Sequence, residues 1–350
     1  MNEYCETYIK ISKDALIHNA RFFKKDSQKK LIAVIKSNAY GHGLIEVGKI
    51  LEPVSDLFAV ASLDSAVSLR KVGIKIPILV LNPLASDYAL VALEHDIMIT
   101  VSSLAELKQF EQVIKDSESP LKLHLKIDSG MNRMGVKTSS EAKDIIEYNS
   151  QKLKIVGIYT HFHSADDEGL SKKQQKLFKD IYEALDTDFE YVHMCSTSAA
   201  LNKWDLDFTT HVRIGLGLYG ICESSDVKPV LSMYSKIMIK KQVLLNETVG
   251  YSARFKARED TWIGVLPCGY SDGIIRANTG RKVYIDGYYC EIVGNVCMNS
   301  LMVKLPHQNV SCEVELIGPH ISAIEIAKHL KTISYEVVTI LPPHIKRIVE

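Results

Sequence analysis

Five residues with chemistry to offer stand where short apolar runs end. Lys36 follows the run 31–35, Leu-Ile-Ala-Val-Ile, and leads into Ser37-Asn38-Ala39-Tyr40-Gly41-His42-Gly43. An ammonium carried at the exit of a buried strand is partly desolvated, which lowers its pKa and leaves an amine able to form a Schiff base with a carbonyl. Arg133 lies beyond the run 121–127, His161 beyond 155–160, Ser198 beyond 191–195, and Arg213 within 212–214. Each has a bland reading by itself: a strand-end lysine whose stem covers apolar surface, a surface arginine, a packed histidine, a helix cap. Their shared position at strand ends carries more information than any one residue type.

The elements that would position them are legible in the hydrophobic pattern. Eight short apolar runs, at 31–35, 57–61, 78–81, 97–100, 121–127, 155–160, 191–195 and 212–214, alternate with segments such as 64–72, 103–114 and 172–185 whose apolar residues recur at helical spacing. A further helical pattern, 14–23, precedes the first run. This alternation predicts an α/β fold, a (β/α)8 TIM-like barrel over 11–223, in which the loops after the strands form one active face. The stretch 223–229 reads as a linker, and 230–350 as a mainly β domain with one late helix at 323–330. Runs at 234–244, 262–266, 282–285, 288–293, 301–303 and 314–317 supply its strands, and Asp286-Gly287 marks a hairpin. Residues 1–10 are expected to join this second domain.

Composition excludes several classes. The chain has 350 residues, 46% hydrophobic, with Lys+Arg and Asp+Glu both at 42, so there is ample core and no basic footprint for nucleic acid or anionic membrane. The first residues lack a signal-peptide core and no apolar run approaches a membrane span, which points to the cytoplasm. Seven cysteines without a C-x-x-C pair read as reduced, mostly buried thiols, and Cys297 as a packed thiol rather than a nucleophile.

The string Ala33-Val34-Ile35-Lys36-Ser37-Asn38-Ala39-Tyr40-Gly41-His42-Gly43 resembles the cofactor-lysine segment of the alanine racemase family, which is fold type III and dependent on pyridoxal 5'-phosphate. Lys126-Ile127-Asp128-Ser129-Gly130-Met131-Asn132-Arg133-Met134-Gly135, Thr160-His161-Phe162, Thr197-Ser198-Ala199-Ala200 and the run from Arg213 to Gly220 resemble further family elements. So do Gly250-Tyr251-Ser252, Gly269-Tyr270-Ser271-Asp272-Gly273 and Cys297-Met298, so that matches run in order from about Ile9 to Ile348. The resemblance implies that Lys36 carries the cofactor and, with Tyr251 from a second subunit, exchanges the substrate's Cα proton on opposite faces. It places Tyr40, Ser198, Gly215 and Leu216 at the phosphate, Arg213 at the pyridine nitrogen, and His161 between Arg213 and the incoming tyrosine. Arg133 would orient the cofactor's phenolic oxygen and the substrate carboxylate, with Tyr270 and Met298 lining substrate entry. Lys126 matches a lysine carbamylated in some members. No metal is expected, and the assembly implied is a homodimer with shared sites supplying D-alanine for cell-wall precursors.

Three positions depart from the family pattern. Asn299 stands where Cys-Met is usually followed by Asp, Thr197 where Asn precedes Ser-Ala-Ala, and Val349 where a tyrosine is usual and would reach the phosphate. A roomier or differently polar pocket could admit serine. Rival readings are a pyridoxal-dependent decarboxylase, a barrel aldolase using His161 and His163 alternating on one strand, and a non-catalytic pyridoxal-phosphate-binding regulator. The first lacks its motif and its longer chain, the second rests on two histidines, and the third lacks a C-terminal β domain.

Overall fold

The computed structural model describes residues 6–148 and 150–350; Cys5 lies outside them. After a first strand, β1 (Tyr8–Ile11), the eight apolar runs become β2 (Lys30–Val34), β3 (Leu57–Val60), β4 (Ile78–Val80), β5 (Ile97–Val101), β6 (Leu121–Lys126), β7 (Leu153–Tyr159), β8 (Tyr191–His193) and β9 (His211–Ile214). Each pairs in parallel with the next, and β2 closes on β9 with Lys30 opposite His211, giving a closed eight-stranded barrel. The expected barrel is therefore present. Its strands are near-continuous apolar runs because both faces are buried: every residue of β3 and β5 is inside. Helices Leu63–Lys71, Leu104–Val113, Ser139–Ile146 and Glu168–Leu185 begin at Ser62, Ser103, Thr138 and Asp167, whose side chains accept from a first-turn amide. The last helix starts earlier than the apolar pattern predicts, because the Asp167 cap lies upstream of its first buried residue, Ser171.

By compactness this unit comprises Ile17–Ser37 and Val47–Leu218; the other gathers residues up to Leu16, Asn38–Glu46 and Tyr219–Glu350. The second unit adds β10 (Leu231–Lys236), β11 (Ile239–Val243), β12 (Thr248–Val249), β13 (Phe255–Lys256), β14 (Thr261–Leu266), β15 (Lys282–Ile285), β16 (Tyr288–Val293), β17 (Leu301–Leu305), β18 (Glu313–Ile317) and β19 (Lys346–Val349). Nine strands form one sheet in the order β11-β14-β17-β16-β15-β18-β10-β1-β19. The run 234–244, read above as one strand, breaks at Ile237 and Met238. Ile237 N donates to Cys312 O, whereas Met238 N donates to Val265 O, so the chain changes partners there. Asp286 and Gly287 turn the β15–β16 hairpin at φ 47° and 91°, both left-handed, as a type I′ turn requires. The late helix, Ala323–Leu330, opens with a Ser322–Glu325 capping box, and a second short helix, Ser334–Thr339, follows it, so the expectation of a single late helix is corrected to two. Among the described residues no helix is long and apolar enough to cross a membrane.

Candidate active site

Lys36 sits just past the C-terminal end of β2, half-buried, and its amine makes no hydrogen bond or ion pair among the described residues. Burial lowers its pKa, and the guanidiniums of Arg133 and Arg213 lower it further. Lys126, the last residue of β6, is 3% exposed; its Nζ donates to Ile127 O at 2.7 Å and lies 5.2 Å from the Tyr159 ring centroid. Desolvation first, then Arg213, pull its pKa down to about 7, with Asp128 opposing. Asp128 is a structural carboxylate, accepting from the amides of Gly130 and Asn132. Arg133 is exposed and without a partner among the described residues. Two guanidiniums and two amines of lowered pKa thus act on one another with one engaged carboxylate among them, which prepares the region for an anion.

Arg213 is the fixed point of the cluster. It is 5% exposed; Nη2 donates to Thr160 O and His161 Nδ1, both at 2.9 Å, and Nη1 to His193 Nδ1 at 2.7 Å. A guanidinium only donates, so His161 and His193 must each accept at Nδ1 and carry their proton on Nε2. Burial, and then Arg213, push both pKa values well below the usual imidazole range, so both rings stay neutral. His193 Nε2 in turn donates to His124 Nδ1 at 3.1 Å. Gly157 makes room for that ring, since a Cβ there would come within 2.7 Å of it. The strand β7 ends at Tyr159, so His161 and His163 do not alternate along it; His163 is instead exposed and bonded to Ser164. That removes the geometric basis of the aldolase reading.

Three polar groups near the ends of β8 and β9 are unspent. The Ser198 hydroxyl and the amides of Gly215 and Leu216 make no hydrogen bonds among the described residues. Thr197, by contrast, is buried and its Oγ1 accepts from Gly217 N at 3.1 Å, so it shapes the backbone.

The turn that continues from Lys36 is left-handed. Ser37, Asn38, Ala39 and Tyr40 have φ of 53°, 54°, 52° and 53°. A left-handed turn of L-residues costs about 1–2 kcal/mol per residue, so these four hold about 4–8 kcal/mol of strain. In the second unit the segment that follows is tied down: Gly43 N donates to Asn38 O, Leu44 N to Asn38 Oδ1, and His42 N to Ala39 O. The buried His42 ring donates from Nδ1 to Tyr40 O at 2.9 Å and packs 4.4 Å from Tyr219. Its Nε2 has no partner, and burial lowers its pKa to about 4.

Elsewhere in the second unit Tyr251 is 71% exposed, and Tyr270 and Met298 are also exposed. Tyr251 lies in a turn where Gly250, Ser252 and Ala253 have φ of 76°, 59° and 47°. Asn295, 4% exposed, holds that turn: Nδ2 donates to Tyr251 O at 2.9 Å, and Oδ1 accepts from Arg254 Nη1 at 3.2 Å. A few residues on, Tyr270 N donates to Cys297 O and Ser271 N to Met298 O, while Asn299 Nδ2 donates to Ser271 Oγ at 2.8 Å. The segment 295–299 therefore bonds both to the turn carrying Tyr251 and to the turn carrying Tyr270. Val349 pairs with Ile11 on β19, at the sheet edge.

Residues 11–223 match the family described as alanine racemase, N-terminal domain, and residues 230–349 the alanine racemase C-terminal domain. The chain belongs to the alanine racemase family. The alanine racemase of Streptococcus uberis is 39% identical over 92% of this chain and 91% of its own, and that of Ligilactobacillus salivarius 36% identical over 97% and 96%. The crystal structure of alanine racemase from E. faecalis superimposes with a TM-score of 0.94 at 31% identity, covering 100% of both chains. A histidine racemase from Leuconostoc mesenteroides gives 0.90 at 27% identity, covering 99% of each.

Family members depend on pyridoxal phosphate, and the groups described above suit it: a partnerless amine, a free hydroxyl, two free amides and surrounding cations. Sequence reasoning missed the partners that orient these groups. His124, Tyr159, His193 and His211, which it passed over, stand with Lys126 and Arg213, which it named, at alternate positions on four consecutive strands. That period-2 row of polar residues in otherwise apolar strands was a readable signal. Asn295 and Arg347 had none, because the contacts that matter, with Tyr251 O and Gly41 O, are to main-chain carbonyls distant in sequence.

Proposed function

We propose that this chain racemises alanine, interconverting the L- and D-isomers, with pyridoxal 5'-phosphate attached at Lys36 and with sites completed by a second copy of the chain. One observation carries the reading: a half-buried lysine amine without a partner among the described residues, its pKa lowered by burial and two guanidiniums, at the end of a barrel strand. Bound there, the cofactor delocalises the electron pair left when the substrate loses its Cα proton. Everything else falls to the chain's own residues. Ser198 and the Gly215 and Leu216 amides would hold the phosphate, the usual place for one in such a barrel, and the resemblance adds Tyr40. Arg213, held by acceptors on Thr160, His161 and His193, would sit at the pyridine nitrogen and, as a group that only donates, would favour its unprotonated form, which would disfavour transamination.

Proton exchange on two faces needs two acid–base groups. Lys36 serves one, its lowered pKa leaving more of it as the neutral base. Tyr251 serves the other, offered from the partner; its exposure in the single chain supports this use. A phenol ionises near pH 10 and needs help to act near neutrality. His161 supplies a donor, because its Nδ1 is occupied by Arg213 and Nε2 carries the proton. Arg133 and the Tyr270–Met298 neighbourhood orient the substrate carboxylate. Lys126, with a pKa of about 7, is an amine able to add CO2 near neutrality, and the resulting carbamate would offset Arg133. The cytoplasm, where D-alanine enters cell-wall precursors, is the fitting location.

The test is to incubate the purified, cofactor-loaded protein with L-alanine and with L-serine and to measure each D-isomer. D-alanine is expected as the main product. A larger yield of D-serine would move the substrate assignment, and no D-isomer from either would remove the racemase reading.

A further inference from the structure

The Arg347 guanidinium is engaged entirely with main-chain carbonyls. Its Nη2 donates to Gly41 O at 2.8 Å and Leu341 O at 3.2 Å, Nε to Gly41 O at 3.3 Å, and Nη1 to Pro342 O at 2.7 Å and Ile345 O at 2.6 Å. It makes no ion pair among the described residues, although Glu46 acts on it at longer range. Two carbonyl sets far apart in sequence, Gly41 and 341–345, are thus bridged by one planar fork, a geometry an ammonium does not reproduce. The two segments also touch directly. A Cβ on Gly41 would lie 1.9 Å from Val338 O, and one on Gly43 would lie 3.5 Å from Arg347 Cγ.

We propose that Arg347 is a positioning residue for the cofactor lysine: by gripping Gly41 O it holds the left-handed turn 37–40, and through that turn it sets where the Lys36 amine and the Tyr40 side chain point. A single strained turn separates Gly41 from Lys36, with no flexible linker to absorb movement. Loosening Gly41 lets residues 37–40 relax toward right-handed or extended backbone, and the amine swings with them. Tyr40 O is itself held by His42, so the relaxation would reach both groups assigned to the cofactor. The inference rests on the proposed attachment at Lys36.

The experiment compares Arg347→Met and Arg347→Lys with the unaltered full-length protein. Borohydride reduction followed by peptide mass analysis first locates the attached group in the unaltered protein; if it is not on Lys36, the cofactor reading and this inference fall together. With attachment on Lys36, the pyridoxal phosphate dissociation constant is read by titration, beside the pH profile of kcat/KM and the melting temperature. Arg347→Met is expected to weaken cofactor binding by about tenfold, the scale of one lost charge-assisted hydrogen bond, and to displace the limb of the pH profile belonging to Lys36. Methylguanidinium should restore part of both. A purely structural staple would lower the melting temperature but leave affinity and profile of the folded protein unchanged, and that result overturns the proposal. If Arg347→Met does not fold, Arg347→Lys decides by the same two readouts.

Discussion

Replacing Asn295 with Leu tests whether Tyr251, the exposed tyrosine proposed as the second acid–base group, depends on a buried amide. The substitution keeps the volume and removes two hydrogen bonds, Asn295 Nδ2 to Tyr251 O and Arg254 Nη1 to Asn295 Oδ1. Each is worth about 1 kcal/mol, taken at the modest end because Tyr251 and Arg254 reach solvent, for a total of about 2 kcal/mol. Against them stand Ser252 and Ala253 in left-handed backbone, at about 1–2 kcal/mol each. Holding interaction and strain are of similar size, so losing the first lets the turn relax. About 2 kcal/mol corresponds to a drop in kcat/KM of about 30-fold. Formation of D-alanine from L-alanine and of L-alanine from D-alanine would be followed by circular dichroism. Because the two isomers have equal free energy, kcat/KM must fall equally in both directions. The deuterium isotope effect at Cα need not, and should rise only in the direction in which the tyrosine takes the proton. A kcat/KM within about twofold of the unaltered protein would refute the argument that this turn is held from Asn295.

Arg213→Glu puts a carboxylate where the guanidinium was and favours a protonated ring nitrogen, so pyruvate formed per D-alanine should rise; an unchanged ratio counts against the assigned role. Lys126, with a folded pKa of about 7 against an ordinary lysine value of 10.5, binds its proton more weakly folded than unfolded. Cofactor-free protein should gain stability from this group as pH rises from about 7 to about 10, at up to about 1.4 kcal/mol per pH unit, and Lys126→Met should remove that slope in chemical denaturation. Mixing Lys36→Ala with Tyr251→Phe, each inactive alone, should recover up to about a quarter of normal activity, since half the re-paired dimers carry one intact site. No recovery after verified subunit exchange would contradict a shared site.

The barrel was legible because its signal is local. Each strand is a short apolar run, and four of the helices between them announce themselves with a capping Ser, Thr or Asp, so the alternation needs no knowledge of distant contacts. Lys36, Arg133, His161, Ser198 and Arg213 followed from the same logic, as residues at strand ends. What stayed hidden depends on pairing across the sequence. The break at Ile237 arises because β10 and β11 serve different partners, β19 opens with two charges, Lys346 and Arg347, that mask its apolar pattern, and Asn295 reads as an ordinary turn residue until its contact with Tyr251 O is known. Left-handed backbone at Ser37–Tyr40 was equally invisible: Ser, Ala and Tyr carry no propensity for it, and surrounding packing imposes it.

The place of β1 in the nine-stranded sheet bears on how the protein is made. Its neighbours are β10 and β19, with Tyr8 opposite both Tyr234 and Lys346. At ribosomal speeds of about 5–20 residues per second, the parallel neighbour emerges roughly 17–70 seconds after the strand it must join. Throughout that interval Ile9 and Ile11, fully enclosed at the end, belong to a nascent segment with one or both edges bare. Chaperone demand should therefore concentrate on β1, and extensions fused near residue 349 should slow maturation more than their size suggests.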